Sequence, residues 1–267
     1  MMADLVIENL VVTFGRGPHA VNAVDDVSLT VPHGTTVGLV GESGSGKSTV
    51  ARTVAGLQKP TSGRILLDGK DLAVGRRDRR AHARDVQMIF QDPYSSLNPR
   101  MSVGETLDEA LATHGSGNAK ARAAGVKELL ELVRLKPGVS ELHPSSLSGG
   151  MRQRVAIARC LAVKPRLIIA DEITSALDAS VQGAVLNLMR DLQRELELSV
   201  LFITHNLAAV RYIADTTAVM RSGEIVEHGD ADAIVTNPQH PYTQALVAAI
   251  PRIQNAGTDS LLHSIGS

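Results

Sequence analysis

At 267 residues and 43% hydrophobic composition the chain is long enough to bury a sizeable core, and length alone fits one large domain with an inserted lobe about as well as two small domains. Lys plus Arg (27) nearly cancel Asp plus Glu (28), which excludes a global field that would hold the molecule to nucleic acid or to an anionic membrane; any partner is chosen by a local site. A single cysteine, Cys160, excludes an internal disulfide and a zinc ribbon and makes the reducing cytoplasm the expected address.

The N-terminal MMADLVIENLVV has no basic segment before its apolar residues and no small-residue cleavage site, so it is expected to be a strand and not a signal peptide. The longest apolar runs, such as LIIA and VLFI, fall far short of the roughly 20 residues that span a bilayer, so work at a membrane would be that of a peripheral subunit. The first ninety residues carry short β-like runs (LVIENLVVTF, VSLTV, TVGLV, RILLDG, VQMIF) separated by Gly, Pro and Asp turns. The basic stretch GRRDRRAHAR (75–84) reads as a solvated loop or short helix. From about 102 to 163 the period becomes helical, with Val126, Leu129, Leu130 and Val133 on one face and LSGGMRQRVAIARCLAV as a following helix. After Pro165 the strand LIIA, a helix with Val181, Val185, Leu188, Leu192 and Leu196 on one face, the strand SVLFIT and a further helix alternate, which predicts a parallel α/β sheet. The tail from Gln254 has weak periodicity and is expected to be loosely ordered.

Between TVGLV and a helix carrying Val50, Val54 and Leu57 stands GESGSGKST: Gly41, Glu42, Ser43, Gly44, Ser45, Gly46, Lys47, Ser48 and Thr49. Strand, glycine-rich loop, Lys-Ser and helix together make a P-loop. Glycines let backbone N–H groups turn around phosphate oxygens, the helix start adds its positive end, Lys47 can reach the β/γ phosphates, and the Ser48 hydroxyl can ligate Mg²⁺.

PRLIIADE then delivers Asp171 and Glu172 to the C-terminal edge of a buried strand, where ligands of open α/β sheets bind. Asp171 is the candidate for holding Mg²⁺ through water, and Glu172 for polarising the water that attacks a γ-phosphate. VLFITHNL puts His205 at the end of another strand on the same edge, and Gln91, after VQMIF, offers an amide for Mg²⁺ or the attacking water. The other histidines, His143 and His240 among them, read as structural or surface. A second glycine-rich helix start is less easily placed. In SLSGGMRQR, Ser148 is a good cap, and Gly149 and Gly150 leave first-turn N–H groups open to an anion. One phosphate chain cannot easily occupy two helix starts of one compact domain, so this one either caps local packing or addresses a nucleotide held by another molecule. Residue chemistry does not choose between them.

The ordered set GESGSGKST, Gln91, LSGGMRQR, LIIADE, SALD and His205 resembles the ATP-binding subunits of ABC transporters over about residues 3 to 250. The resemblance implies an α/β fold: a P-loop NTPase core of ABC type with an N-terminal antiparallel β lobe and an inserted α-helical subdomain. The ATPase domain would occupy 1–250, with the insert at about 92–165, and 251–267 would be a short tail. It also implies ATP and Mg²⁺, and two subunits that sandwich two ATP molecules head to tail. Each site would use the P-loop of one subunit and the LSGG helix (Ser148, Gly149, Gly150) of the other. Phe14 matches the aromatic that stacks on adenine, Gln91 the loop coupling the site to the membrane subunits, Asp178 the loop between the two sites, and His205 the switch histidine.

VQMIFQDPYSSLNPRMSVGETL and NPQHPYTQALVAAIP are similar to the dipeptide/oligopeptide/nickel importer group, and DPYSSLNPRM is nearer the second ATPase of its heterodimeric pairs. The implied partners are a different ABC ATPase chain, two transmembrane permeases and an extracytoplasmic solute-binding protein, with no nucleic acid, at the cytoplasmic face of the membrane. Three residues or segments depart from the pattern. Ile173 replaces the usual proline after the catalytic Glu and is expected to loosen Glu172 and the SALD loop. Met151 replaces the commoner glutamine, and the cysteine-bearing extension after HPYT is missing, so no iron–sulfur cluster is expected. The rivals to peptide import are nickel or another solute, a soluble ABC ATPase working on DNA or ribosomes, and a nucleotide-binding regulator without turnover. A single nucleotide-binding unit, a neutral balance and no aromatic-basic surface pattern speak against the second, and Glu172 against the third.

Overall fold

The computed structural model describes residues 3–72, 79–92, 96–113 and 117–249. The start of GRRDRRAHAR, the centre of DPYSSLNP and the tail from 250 lie outside them.

The N-terminal lobe is a four-stranded antiparallel sheet, in the order β2-β1-β4-β5, formed by β1 (Ala3–Phe14), β2 (Val21–Pro32), β4 (Ser62–Leu67) and β5 (Lys70–Asp71). In β1 the buried residues are Leu5 and Ile7, then Leu10 and Val12, so the two-residue period slips by one between the pairs. A register shift between Ile7 and Leu10 absorbs the slip, with Asn9 in the left-handed region (φ 46°) and its amide on Asp26, 2.8 Å away. The extra residue keeps both apolar pairs on the core face.

The second sheet has six strands in the order β10-β9-β3-β8-β7-β6. β3 (Thr36–Val40), β6 (Val86–Ile89), β7 (Leu167–Asp171), β8 (Ser199–Thr204) and β9 (Thr216–Arg221) run parallel, and β10 (Glu224–Asp230) pairs antiparallel to β9. Every residue of β3, β7 and β8 is buried, as expected for parallel strands covered on both faces. Alternate side chains enter different cores. Leu167, Ile169, Leu201 and Ile203 pack with the antiparallel lobe and α1 (Lys47–Val54), whereas Ile168, Ala170, Val200 and Phe202 pack with the helices on the other side.

α2 (Arg79–Asp85) confirms a short helix in the basic stretch, but not a wholly solvated one: His82 is buried, with Nε2 2.8 Å from the Val54 carbonyl. The helical insert holds α3 (Val103–Thr113), α4 (Ala119–Leu132) and α5 (Gly149–Leu161), and Val126, Leu129, Leu130 and Val133 are buried together. α6 (Ala179–Glu195) comes after β7, with Val185, Leu188 and Leu192 buried; Leu196 falls just past its end and is 42% exposed. α7 (Leu207–Ile213) comes after β8.

Beyond α7 the sequence pattern assigns no elements, yet β9 and β10 form a hairpin through Ser222 (φ 49°) and Gly223 (φ 92°). Two consecutive positive φ angles are what a two-residue type I′ hairpin turn requires, and the Ser-Gly pair is the available signal. α8 (Ala231–Thr236), capped by Asp230, and α9 (Pro241–Ala248), capped by His240, complete the described chain.

Candidate functional site

Because β3, β7 and β8 are adjacent and parallel, their C-terminal ends share one edge of the sheet. The loop 41–46 leaves β3 at that edge, Asp171 ends β7 with Glu172 next in the chain, and His205 stands just past β8. The register pairs Val40 with Thr204 and Asp171 with Ile203, so the three segments converge.

The loop turns through glycine. Gly44 (φ 81°) and Gly46 (φ 108°) occupy conformations that disfavour other residues, and a Cβ on Gly46 would meet the Ala23 carbonyl at 2.2 Å. Among the described residues, the backbone N–H groups of Ser43, Gly44, Gly46, Lys47 and Ser48 donate to no protein acceptor. They cluster at the N-terminus of α1, where the helix dipole is positive, and so form a ready anion cradle. Lys47 is buried and donates to the carbonyls of Gly41 (2.8 Å) and Glu42 (2.7 Å). Burial lowers its pKa, while the charges of Glu172, Asp171 and Glu42 pull the other way.

Ser48 Oγ lies 3.4 Å from Asp171 Oδ1. Burial and the neighbouring Glu172 charge raise the Asp171 pKa above the ordinary carboxylate range, against the Ser48 hydroxyl, Arg52 and Lys47. The donor set suits a hard cation, and no group of three or more His, Cys, Asp or Glu residues able to hold a metal occurs among the described residues. A metal held by Ser48 and Asp171 would draw further ligands from phosphate and water, a donor set that fits Mg²⁺.

Glu172 sits in the left-handed region (φ 48°), a strained position for a non-glycine residue and a frequent companion of functional sites. Three hydrogen bonds hold its backbone: its N–H to the Ile203 carbonyl (2.8 Å), and its carbonyl to the Ser175 N–H (3.1 Å) and hydroxyl (2.9 Å). Its carboxylate bridges two of the sequence candidates, with Oε1 3.3 Å from His205 Nδ1 and Oε2 accepting from Gln91 Nε2 at 3.1 Å. The expected loosening by Ile173 is not seen: Ile173 is buried in the core, and Glu172 remains aligned between Gln91 and His205.

The structure thus gathers residues 41–48, Asp171, Glu172, His205 and Gln91. Phe14 ends β1 and is 46% exposed, open to a flat ligand. Asp178 precedes α6, exposed, and its side chain makes no capping bond. Ser148 caps α5, its hydroxyl accepting from the Met151 N–H at 3.3 Å. The two glycines after it differ. A Cβ on Gly150 would meet Val181 Cγ1 at 2.5 Å, so Gly150 is required for packing on α6; Gly149 is exposed, with only the tip of Leu177 at 3.2 Å. No hydrogen bond among the described residues joins 148–150 to 41–49.

Sequence reasoning misses two residues here. Ser175 bonds Glu172 and lies 3.4 Å from the Gln91 amide, and the Tyr242 hydroxyl accepts from the Glu42 N–H at 3.1 Å. Ser175 opens SALD and Tyr242 lies in NPQHPYT, but neither motif says which backbone group its hydroxyl meets.

A three-layer α/β fold with an open amide cradle on β3 and an acid pair on a neighbouring strand defines a P-loop nucleotide-binding cassette. The chain matches the ABC transporter family over residues 24–175 and the C-terminal region of oligopeptide/dipeptide transporters over 226–266, and it belongs to the ABC transporter family. It is 50% identical over 86% of its length to a probable peptide ABC transporter ATP-binding protein of Sinorhizobium fredii, covering 66% of that protein. It is 46% identical over 90% of its length to the oligopeptide transport ATP-binding protein OppF of Lactococcus lactis, covering 76% of it. The dimeric post-hydrolysis structure of the ATP-binding cassette MJ0796, bound to ADP and Pi, is similar at TM-score 0.76 and 28% identity, over 85% of this chain and 98% of that one.

Asp171 carries a testable cost. A carboxylate whose pKa is raised on folding binds protons more readily in the native than in the unfolded state, so its contribution to stability falls as pH rises from the ordinary carboxylate pKa through the raised one. At neutral pH the charge opposes folding of the nucleotide-free protein. Asp171→Asn should therefore raise the melting temperature without nucleotide while weakening Mg²⁺-dependent ATP binding at least about tenfold, the scale of losing one good ionic ligand. A lower melting temperature would mean that the carboxylate is held there by favourable contacts instead.

Proposed function

We propose that this chain is the ATP-hydrolysing subunit of an importer of di- or oligopeptides, acting at the cytoplasmic face of the membrane. The observation that carries hydrolysis is the Glu172 carboxylate between Gln91 (3.1 Å) and His205 (3.3 Å), beside five open amides and the Ser48–Asp171 pair. The amides, Lys47 and Ser48 hold and orient the phosphates, and Phe14 offers its ring to the base. Ser48 and Asp171, with Gln91 near the acid pair, would hold Mg²⁺, which would supply charge neutralisation to the phosphates. Glu172 then accepts a proton from the attacking water, His205 addresses the γ-phosphate, and the displaced oxygen leaves in line. The Glu172 carboxylate meets Gln91 on one oxygen and His205 on the other, and each oxygen keeps a further lone pair for a water.

The peptide substrate rests on the oligopeptide/dipeptide region at 226–266 and on relatives named for peptide transport. No described helix is long and apolar enough to cross a membrane. We assign two permeases, a solute-binding protein and a second, different ATPase chain as partners. A groove of about 330 Å³ next to Gln91, lined by Leu57, Met88, Phe90, Ala110 and Val163, leaves Leu57 and Phe90 exposed and suits the permease contact. The composite pairing, with Ser148, Gly149 and Gly150 serving the partner's ATP and Asp178 between the sites, is supported by the exposed Gly149 and by the dimeric MJ0796 cassette.

The test is reconstitution. The chain alone should bind ATP and hydrolyse it slowly, and partner ATPase, permeases and peptide-loaded binding protein should raise the rate by about tenfold or more, as completing one charge-stabilising shell does. Stimulation by nickel and not by peptide would move the substrate to the alternative, and a full rate from the lone chain would remove the composite site.

A further inference from the structure

We propose that Tyr242 is a positioning residue of the phosphate loop, holding the peptide unit between Gly41 and Glu42 so that Lys47 is preset for nucleotide. The geometry comes from one planar group. In a trans peptide the carbonyl and the N–H point in opposite directions. On one side the Gly41 carbonyl accepts from Lys47 Nζ at 2.8 Å; on the other the Glu42 N–H donates to the Tyr242 hydroxyl at 3.1 Å. The ammonium and the phenol thus hold the two ends of the same plate. Hydrogen bonds at both ends of an amide also polarise each other, so loss of one weakens its opposite.

The phenol comes from 200 residues away, and the chain secures it in place. Tyr242 is buried, in the first turn of α9, with its N–H on His240 Nδ1 at 3.1 Å. The Glu227 carboxylate on β10 takes the N–H groups of Gln239 (2.7 Å) and His240 (3.0 Å), fixing the segment that enters the helix. The Arg221 guanidinium, at the end of β9, lies 5.0 Å from the centre of the Tyr242 ring. The same hairpin touches the loop twice more: the Gly223 N–H donates to the Ser45 carbonyl at 3.0 Å, and the Met220 carbonyl lies so close to Gly41 that a Cβ there would approach it to 2.1 Å. The segment from β9 to α9 therefore forms the back wall of the loop, and the Tyr242 hydroxyl is its polar contact with the peptide that carries Lys47.

Without that acceptor the 41–42 plane is free to tilt and carry the Gly41 carbonyl away from Lys47. The lysine then has fewer fixed partners while Glu172 and Asp171 still attract it. Ordering it again at each binding event costs affinity. The hydroxyl is not placed on Glu172, His205 or Gln91, so the chemical step is untouched. The expected signature is a KM effect with kcat retained.

The proposal rests on reading 41–49 as the nucleotide cradle, and the experiment separates the two. With the full chain, MgATP binding and steady-state hydrolysis are measured for the wild type, Tyr242→Phe, Lys47→Ala and the double variant. Tyr242→Phe keeps the ring under Arg221 and removes only the hydroxyl; it should weaken MgATP binding and raise KM about 3- to 10-fold, with kcat within about twofold, the scale of one exchanged hydrogen bond. In the Lys47→Ala background the same change should have almost no further effect, because the two act through one peptide. Unchanged binding by Tyr242→Phe while Lys47→Ala weakens it overturns the proposal alone, as do fully additive losses or a fall in kcat at constant KM. If Lys47→Ala itself leaves MgATP binding intact, the cradle reading fails first.

Discussion

Glu172→Gln will keep MgATP affinity within a few-fold and lose turnover by about 10² to 10⁴, the usual worth of a positioned general base. The amide has the same shape, and its oxygen can still accept from Gln91 or approach His205, so the contacts at 3.1 and 3.3 Å need not collapse. What disappears is the capacity to take a proton from water. Affinity should be retained because, on the function proposed above, the phosphates are held elsewhere, by the open amides of Ser43, Gly44, Gly46, Lys47 and Ser48 and by the Lys47 side chain. Single-turnover hydrolysis with equilibrium binding measured in parallel separates the two quantities, and near-normal hydrolysis would remove Glu172 from the mechanism. The same assay weighs Ile173. Its side chain is buried, and the strained Glu172 backbone is pinned by Ile203 and Ser175, so the structure gives no reason for a proline to be needed there. A wild-type complex found inactive with all partners present would make Ile173→Pro the first variant to examine.

The parts legible in the sequence are those where a local rule decides the outcome. LIIA and VLFI are continuous apolar runs because β7 and β8 are buried on both faces, and a run of that kind reads directly as a parallel core strand. GESGSGKST is legible because strand, glycines, lysine and helix are contiguous. The approach of Gln91 to Glu172 is of another kind. The two lie 81 residues apart and meet only because β6 pairs with β7 in a register that no local pattern specifies. The contacts of Ser175 and Tyr242 are not legible for a related reason: SALD and NPQHPYT contain the residues, but each hydroxyl acts through a backbone group that its motif does not point to. His82 is masked by its basic neighbours because charge density hides a single buried ring. The β9–β10 hairpin escapes a pattern reading where alternation is weakest, in β10, whose residues are all partly or fully exposed.

Lys47→Ala and Gly149→Asp should damage opposite sites of an ATPase pair. Lys47 is buried in the loop of its own chain, and its removal takes a cation from the nucleotide which that loop holds. Gly149 opens α5, is exposed, and meets only the tip of Leu177 at 3.2 Å, so an aspartate can be accommodated there without disturbing the core. Gly150 offers no such choice, because Val181 lies 2.5 Å from where its Cβ would stand, and a substitution there tests packing. The new carboxylate would face whatever anion the helix start addresses. Losing a positioned donor or cation at a transferring phosphoryl group costs on the order of 10² to 10³ in rate, and a carboxylate near phosphate adds repulsion. In the assembled complex, with photolabelled nucleotide followed on each subunit, Lys47→Ala should lose label on this chain. Gly149→Asp should keep ground-state ATP here and lose trapped product on the partner. Lys47→Ala removes a buried side chain, so circular dichroism with thermal melting verifies that both variants fold before the labelling is read. If Gly149→Asp instead abolishes ATP binding by its own chain while the melting curve stays intact, the Ser148 helix serves the local pocket, and the two glycine-rich helix starts of this chain answer to one nucleotide after all.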